Sequence, residues 1–147
     1  MNYLLLGALL QTDASEEHKE KLRYYVKNST MRTVMQVMEI KEIQKRFEAE
    51  GIRHQFMKGS CMKFMYPTPQ MREMSDMDVL IHDESMNKAS FVLKEMGYEL
   101  IQSVKHHDIY RKGKYMVVEA HKAMYDKTID KNQYEYFADF SKRKVKP

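Results

Sequence analysis

The chain has 147 residues, of which 43% are hydrophobic and 31% charged, and its formal net charge is +4. This length and composition are typical of one soluble globular domain with a single core, and they exclude a low-complexity chain. The lone Cys61 excludes an internal disulfide and fits a reducing compartment, so we expect a cytoplasmic protein.

Neither end of the chain predicts a membrane or targeting segment. Residues 3–10 are apolar, but they are too few to span a bilayer and lack the positive region and cleavage site of a signal peptide. Basic residues crowd the other end, at 142–146. A solvated, frayed terminus is the commoner interpretation of such a tail, and contact with nucleic acid is the alternative.

The first 50 residues predict a helical segment packed on the remainder. A helix over 2–11 is followed by a second one, which Asp13 or Ser15 can cap. Gly51 ends the helical segment. An apolar stripe along it is formed by Met31, Val34, Met35, Met38 and Phe47. Core packing is the expected role of the stripe, and a pliable partner surface is the alternative.

Residues 51–125 alternate between strand and helix patterns. Strands are predicted at 53–57, 77–81, 98–101, 107–111 and 115–121, and helices at 60–65 and 83–96. Residues 126–147 predict a C-terminal helix, at 132–140, and the basic tail. The order of elements predicts an α+β fold, with a small mixed or antiparallel sheet and helices packed on one side.

Two aspartates stand one residue apart at the start of an apolar run. Asp76 and Asp78 lead into the strand pattern at 79–81. Side chains at i and i+2 of a strand point to the same face, so both carboxylates project side by side. Such a pair repels unless a cation lies between the carboxylates, and hard oxygen ligands suit Mg²⁺ or Mn²⁺. The pair therefore predicts a metal site.

A glycine-serine turn lies at a predicted strand-to-helix junction. The N-terminus of a helix offers free N–H groups and a partial positive charge, which favour a phosphate. Gly59 allows close approach of the backbone, and the Ser60 hydroxyl can donate to an oxyanion. Lys58, Lys63 and Arg72 add positive charge nearby. The turn therefore predicts a phosphate-binding loop.

These motifs resemble the signature of the polymerase-β-like nucleotidyltransferase superfamily, in which a Gly-Ser turn and a spacer precede Asp-hydrophobic-Asp on a strand. Over roughly residues 30–125 the chain looks most like a group of uncharacterised nucleotidyltransferase-like proteins. The shared pattern is Lys58-Gly59, Tyr66-Pro67, Arg72, Ser-Asp-Met-Asp-Val-Leu-Ile at 75–81, Gly97-Tyr98 and Val118-Glu119-Ala120-His121. Fifteen residues separate Ser60 from Asp76, which is a longer spacer than the superfamily usually has.

The resemblance implies a metal-dependent nucleotidyltransferase that moves a nucleoside monophosphate from a nucleoside triphosphate to a hydroxyl acceptor and releases pyrophosphate. Two Mg²⁺ (or Mn²⁺) ions would be held by Asp76, Asp78 and Glu119, the last being the match to a third carboxylate on a later strand. The residues expected to bind the nucleotide and its phosphates are Lys58, Gly59, Ser60, Arg72 and His121. The acceptor stays open between a protein, a small molecule and a nucleic acid. A protein partner is a further option, and no membrane is expected.

The histidines leave alternatives open. If His107 and His121 pair across the predicted hairpin, they lie beside the carboxylates, where they can orient a phosphate or ligate a softer metal such as Zn²⁺. That arrangement would suit a metal-dependent phosphohydrolase. A third alternative is a catalytically inert nucleotide-binding or antitoxin-like partner module.

Overall fold

The computed structural model describes residues 2–123 together with residues 131, 132 and 135. The predicted C-terminal segment 126–147, with its helix and basic tail, therefore lies largely outside the described residues. Within the described part of the chain, no helix is both long enough and apolar enough to cross a membrane.

One long helix forms most of the N-terminal half. A short helix α1, Asn2–Leu9, precedes α2, Glu16–Ala49, which is 34 residues long. α2 ends where Gly51 adopts a φ of 65°, a left-handed conformation that glycine accepts without strain. The Gly51 N–H donates to the Glu48 carbonyl at 3.0 Å and so satisfies one of the last carbonyls of the helix. The predicted end of the helix at Gly51 is confirmed.

The predicted core face of α2 is wrong. Of the predicted stripe only Phe47 is buried, whereas Met31, Val34, Met35 and Met38 are between 41% and 66% exposed. The buried positions are Val26, Thr33, Gln36, Ile40, Ile43 and Phe47. Thr33 and Gln36 face inward because polar groups lie beneath them: the Gln36 amide donates to the Met74 carbonyl at 3.2 Å, and the Lys63 ammonium lies 3.5 Å from Thr33 Oγ1. A pattern built on apolar residues alone cannot place such a face.

A five-stranded mixed sheet forms the centre of the molecule, in the order β1-β2-β5-β4-β3. Its strands are β1 His54–Phe56, β2 Met77–Ile81, β3 Glu99–Ser103, β4 His107–Lys112 and β5 Met116–His121. β2 and β5 pair in parallel, and the other neighbours pair antiparallel. The α+β fold and the mixed sheet are as predicted.

Two further α-helices lie between the strands. α3, Lys58–Met62, follows β1, and α4, Met86–Glu95, follows β2. The buried positions of α4 are Met86, Ala89, Val92 and Leu93, which confirms its predicted face. The predicted start of α3 is wrong, because the helix begins at Lys58 and thus includes Gly59 and Ser60.

The hydrophobic core lies between the sheet and the inward faces of α2 and α4. Met77, Val79 and Ile81 of β2 are completely buried in it, together with Ile43 and Phe47 of α2. Since side chains alternate along a strand, Asp78 of β2 points to the opposite face of the sheet. The packing of β2 therefore fixes the direction in which the site faces.

Candidate active site

Strand pairing brings together side chains that are distant in the sequence. In the parallel pairing of β2 with β5, Asp78 stands opposite Glu119 and Leu80 opposite His121. In the antiparallel pairing of β4 with β5, His107 stands opposite His121. The carboxylates of Asp78 and Glu119 and the His121 imidazole consequently meet near the middle of the sheet.

The three side chains converge closely enough to share a cation. One donor atom each from Asp78, Glu119 and His121 can be chosen so that all three lie within 4.8 Å of one another. His121 Nε2 is 2.9 Å from Asp78 Oδ1 and 3.5 Å from Glu119 Oε2. Two carboxylates and an imidazole are ordinary ligands of divalent metals. The three residues therefore fit a divalent cation.

Lys58 supplies a positive charge next to the cluster of Asp78, Glu119 and His121. Its ammonium is 2.5 Å from Asp78 Oδ1, the oxygen that also contacts His121. The Lys58 side chain is 61% exposed, whereas that of Asp78 is only 5% exposed. A buried carboxylate requires such partners, because burial of an unpaired charge is costly. Lys58 thus neutralises Asp78 from the solvent side.

The electrostatics of the site keep this ion pair charged. Burial by itself would raise the pKa of Asp78, but hydrogen bonds from His121 and Lys58 and their positive charge outweigh it and hold the pKa below its ordinary value. For Lys58, burial would lower the pKa, but the hydrogen bond to Asp78 and the charges of Asp78, Glu119 and Asp76 raise it. Both partners are therefore ionised at neutral pH.

His107 occupies a different environment from His121. Burial lowers the pKa of His107, and the neighbouring His106 lowers it further. The rings of His107 and His121 are 5.3 Å apart, but His107 does not belong to the group of three converging donors. The register places these two histidines opposite each other across the hairpin, which the sequence alone had left as a condition.

A pocket of about 280 Å³ opens beside the cluster. Its lining residues are Lys58, Gly59, Arg72, Glu73, Met74, Ser75, Asp76 and Asp78. The predicted Asp76, Asp78, Lys58, Gly59 and Arg72 thus share one cavity. Asp76 is half-buried and lies outside the group of three converging donors.

Close packing explains the glycine of the Gly-Ser motif. Gly59 lies within α3, and a Cβ built on it would be 3.1 Å from Met74 Cβ. A side chain at this position would therefore push the 72–76 segment away from α3. The left-handed backbone falls one residue earlier, at Lys58, whose φ is 47°. Sequence reasoning missed both features, because nothing local to Met74 or Lys58 signals them.

Ser60 and Arg72, both predicted to bind phosphate, lie in different environments. Ser60 is completely buried, and its hydroxyl has no hydrogen-bond partner within the described part of the chain. A buried hydroxyl without a partner is rare, but Ser60 does not line the pocket. Arg72 lines the pocket, and its Nη1 donates to the Glu73 carbonyl at 2.6 Å. Lys63, by contrast, is buried beneath α2 and does not line the pocket.

Comparison with solved structures identifies the fold. The solution structure of the antibiotic-resistance factor ANT(2'')-Ia superposes with a TM-score of 0.54 at 14% identity, over 62% of this chain and 48% of that chain. The crystal structure of ANT(2'')-Ia in complex with adenylyl-2''-tobramycin gives 0.53 at 14% identity, over 63% and 52%. This chain therefore spans about half the length of those proteins. At this identity the likeness concerns the fold.

Sequence comparison gives the family. No curated protein has a significantly similar sequence. The sequence model of the family described as an uncharacterised nucleotidyltransferase, however, matches residues 4–147, which is almost the whole chain. The chain belongs to this uncharacterised nucleotidyltransferase family.

Proposed function

We propose that this protein transfers a nucleoside monophosphate from a nucleoside triphosphate to an acceptor hydroxyl and releases pyrophosphate. The observation that carries the proposal is the pairing of Asp78 with Glu119 across β2 and β5, next to a pocket lined by Lys58, Gly59 and Arg72. Carboxylates beside a cationic pocket are the groups that phosphoryl chemistry requires.

Asp76, Asp78 and Glu119 would hold two divalent cations, Mg²⁺ or Mn²⁺. When bound, these ions would neutralise the triphosphate and lower the pKa of the acceptor hydroxyl. The fit is supported by the convergence of the Asp78 and Glu119 oxygens and by the half-buried Asp76 on the wall of the same pocket.

The phosphates would bind on the α3 side of the pocket. Ser60 is completely buried and does not line the pocket, so its hydroxyl would donate to a phosphate oxygen only after the neighbouring backbone moves. Gly59 would admit the phosphate to the backbone, and the guanidinium of Arg72 would add a planar donor. Lys58 would exchange its contact with Asp78 for one with the triphosphate.

The reaction itself needs little covalent chemistry from the protein. The acceptor oxygen would attack the α-phosphorus while the bond from that phosphorus to the bridging oxygen of the β-phosphate breaks. The acceptor proton would pass to the carboxylate of Asp78 or Glu119. Lys58 and Arg72 would stabilise the negative charge that develops on the leaving pyrophosphate.

The acceptor is not part of this proposal. ANT(2'')-Ia has been solved with adenylyl-2''-tobramycin, in which a nucleotidyl group is joined to an acceptor molecule. We extend the type of reaction to this chain but not the acceptor, because the chain spans about half of that protein.

Calorimetric titration of ATP, GTP, CTP and UTP, with and without Mg²⁺, tests the nucleotide site. We expect metal-dependent binding of at least one nucleotide by the parent, and its loss in Asp78→Asn. Asp83→Asn is the matched control, because Asp83 follows the same strand on an exposed turn and lies outside the site. Equal binding by the parent and Asp78→Asn would contradict the proposal.

Labelled nucleotides then test the reaction. Nucleotidyl transfer moves the α-phosphate label to an acceptor and releases the γ-phosphate in pyrophosphate. We expect Asp78→Asn to reduce this transfer by on the order of a thousandfold, since loss of a metal ligand removes several kcal/mol of transition-state stabilisation. Release of inorganic phosphate alone would indicate a phosphohydrolase, and tight binding without turnover an inert nucleotide-binding module.

A further inference from the structure

We propose that His121 is a direct ligand of the divalent cation at this site, and that its nitrogen makes the site prefer first-row transition metal ions to Mg²⁺. The inference rests on the proposed function, which assigns a metal to Asp78 and Glu119. It goes further in naming a nitrogen donor and, through it, the class of metal.

The first argument is the spacing of the donor atoms. Ligands about 2.1 Å from one cation lie roughly 3.0 Å apart when they occupy adjacent octahedral positions. His121 Nε2 is 2.9 Å from Asp78 Oδ1 and 3.5 Å from Glu119 Oε2. The first separation matches that of adjacent ligands and the second is somewhat longer, so Glu119 would move slightly towards a cation shared by the three donors.

The second argument is the fixed position of the imidazole. The His121 side chain is only 10% exposed. Its ring packs against that of His107 at 5.3 Å, and its backbone lies in β5 between β2 and β4. A largely buried side chain in contact with a neighbouring ring has little freedom to rotate, so His121 stays beside the carboxylates when a cation binds.

The third argument is the ion pair that Asp78 already makes with the Lys58 ammonium. The Lys58 ammonium lies 2.5 Å from Asp78 Oδ1, so a metal ion that binds this oxygen must displace it. Mg²⁺ favours oxygen ligands and gives up its hydration water reluctantly, whereas imidazole nitrogen suits transition metals. A cation that gains a strong bond to nitrogen is therefore better able to replace Lys58.

The alternative role for His121 is contact with a phosphate. That role does not require Nε2 to face two carboxylates, which a phosphate would avoid because of its own negative charge. Nε2 faces Asp78 and Glu119 and now shares a proton with Asp78, and a cation would take the place of that proton.

Electron paramagnetic resonance of bound Mn²⁺ tests the coordination directly. The full chain is prepared with ¹⁴N- or ¹⁵N-labelled histidine and loaded with Mn²⁺ in the absence of nucleotide. We expect electron spin echo modulation from a directly coordinated imidazole nitrogen, which changes with the isotope. This measurement needs no variant, so it does not depend on whether a substitution folds. Bound Mn²⁺ without histidine modulation would overturn the inference.

Competition between Mn²⁺ and Mg²⁺ tests the selectivity. We expect His121→Gln to lower the preference for Mn²⁺ over Mg²⁺ by roughly tenfold and to abolish the nitrogen modulation, because only oxygen donors remain. His82→Gln is the matched control, since His82 follows the end of β2 and does not belong to the converging donors. It should keep both properties. The same preference in parent and His121→Gln would also overturn the inference.

The outcomes separate this inference from the proposed function. Mn²⁺ that binds without histidine coordination, in a protein that still transfers nucleotide, contradicts the inference alone. Histidine-coordinated Mn²⁺ in a protein that binds no nucleotide supports the inference and contradicts the proposed function. A parent protein that binds neither Mn²⁺ nor Mg²⁺ overturns both.

Discussion

At the scale of single residues, Lys58 combines a left-handed backbone with an ion pair. Its φ of 47° is a conformation that costs a residue with a Cβ roughly 1 kcal/mol relative to glycine. The conformation turns the chain from β1 into α3, and the side chain reaches Asp78 at 2.5 Å. Strain of this kind persists where the surrounding structure requires it, and it is common at functional sites.

Two substitutions distinguish the effect of the Lys58 backbone conformation on stability from the effect of its charge. Lys58→Ala and Lys58→Gly both remove the ion pair with Asp78, but only glycine also relieves the backbone. We expect Lys58→Gly to be more stable than Lys58→Ala by about 1 kcal/mol in urea unfolding. Lys114 is an exposed turn residue that does not have a positive φ. At this position we expect the alanine variant to be as stable as the glycine variant or more stable. A less stable Lys58→Gly would contradict this account.

Lys63 is a buried cation that the proposed reaction does not use. It is completely buried, and its nearest acceptors, on Thr33 and Gln36, are both 3.5 Å away. Burial, together with the charges of Arg72 and Arg32, lowers the pKa of Lys63 from 10.5 to about 8. The folded state therefore releases this proton at a lower pH than the unfolded state does.

The lowered pKa of Lys63 predicts that stability rises with pH. Between pH 8 and 10.5 the unfolded state binds more protons at this residue, so its contribution to the free energy of unfolding increases with pH. By pH 9.5 the gain should be on the order of 1 to 2 kcal/mol relative to Lys63→Met, which lacks the group. Urea unfolding of both proteins at pH 7.5, 8.5 and 9.5 measures this difference. A constant or falling difference would contradict the prediction.

At the scale of elements, α2 presents methionines to solvent and polar groups to the core. Met31 and Met38 are 63% and 66% exposed, whereas Ile43 is completely buried. Exposed substitutions usually change stability by less than about 0.5 kcal/mol, whereas loss of a buried isoleucine costs about 2 to 5 kcal/mol.

The orientation of α2 can be tested by stability. We expect Met31→Gln and Met38→Gln to leave the free energy of unfolding within about 0.5 kcal/mol of the parent, and Ile43→Ala to lower it by at least about 2 kcal/mol. Chemical unfolding at neutral pH measures all three. A large decrease in the free energy of unfolding of Met38→Gln would indicate that the apolar stripe is buried and would contradict the observed helix face.

The same elements explain how much the sequence could predict. β2 and α4 were predictable, because their alternation and helical periodicity are carried by apolar residues such as Val79 and Leu93. The buried face of α2 was not, because Thr33 and Gln36 are placed by partners elsewhere in the chain. The hydrophobic pattern of a segment shows which of its residues are apolar. It does not show which polar groups from elsewhere in the chain will pack against the helix.

The site was predictable in part for a similar reason. The spacing of Asp76 and Asp78 predicted a metal-binding pair, and the family resemblance implied Glu119 as a third carboxylate. The contact of Asp78 with His121 and Lys58 depends on the parallel pairing of β2 with β5 and on the position of α3. These are long-range features of strand order, which no spacing within the sequence specifies. The role of each predicted side chain stays a prediction until it is tested.

At the scale of the whole molecule, the cluster of Asp78, Glu119 and His121 lies across two neighbouring interior strands of the sheet. β2 and β5 are neighbours in the interior of the sheet, and they are separated in sequence by α4 and the β3–β4 strands. Asp78 and Glu119 stand directly opposite each other on them. Bound metal would thus link two distant parts of the chain and replace repulsion between carboxylates by attraction to a shared cation.

Metal binding should therefore stabilise the whole fold and not a single loop. A ligand that binds only the folded state at a hundred times its Kd adds about 2.7 kcal/mol to the free energy of unfolding. We expect Mn²⁺ at this excess to raise the melting temperature of the parent and of Asp83→Asn by several degrees, and that of Asp78→Asn not at all. Chelation should reverse the rise. Hydrogen exchange should slow in both β2 and β5, because their separation requires breaking the same metal site. Protection confined to the 72–76 segment would indicate that the cation binds the pocket wall and does not bridge the strands.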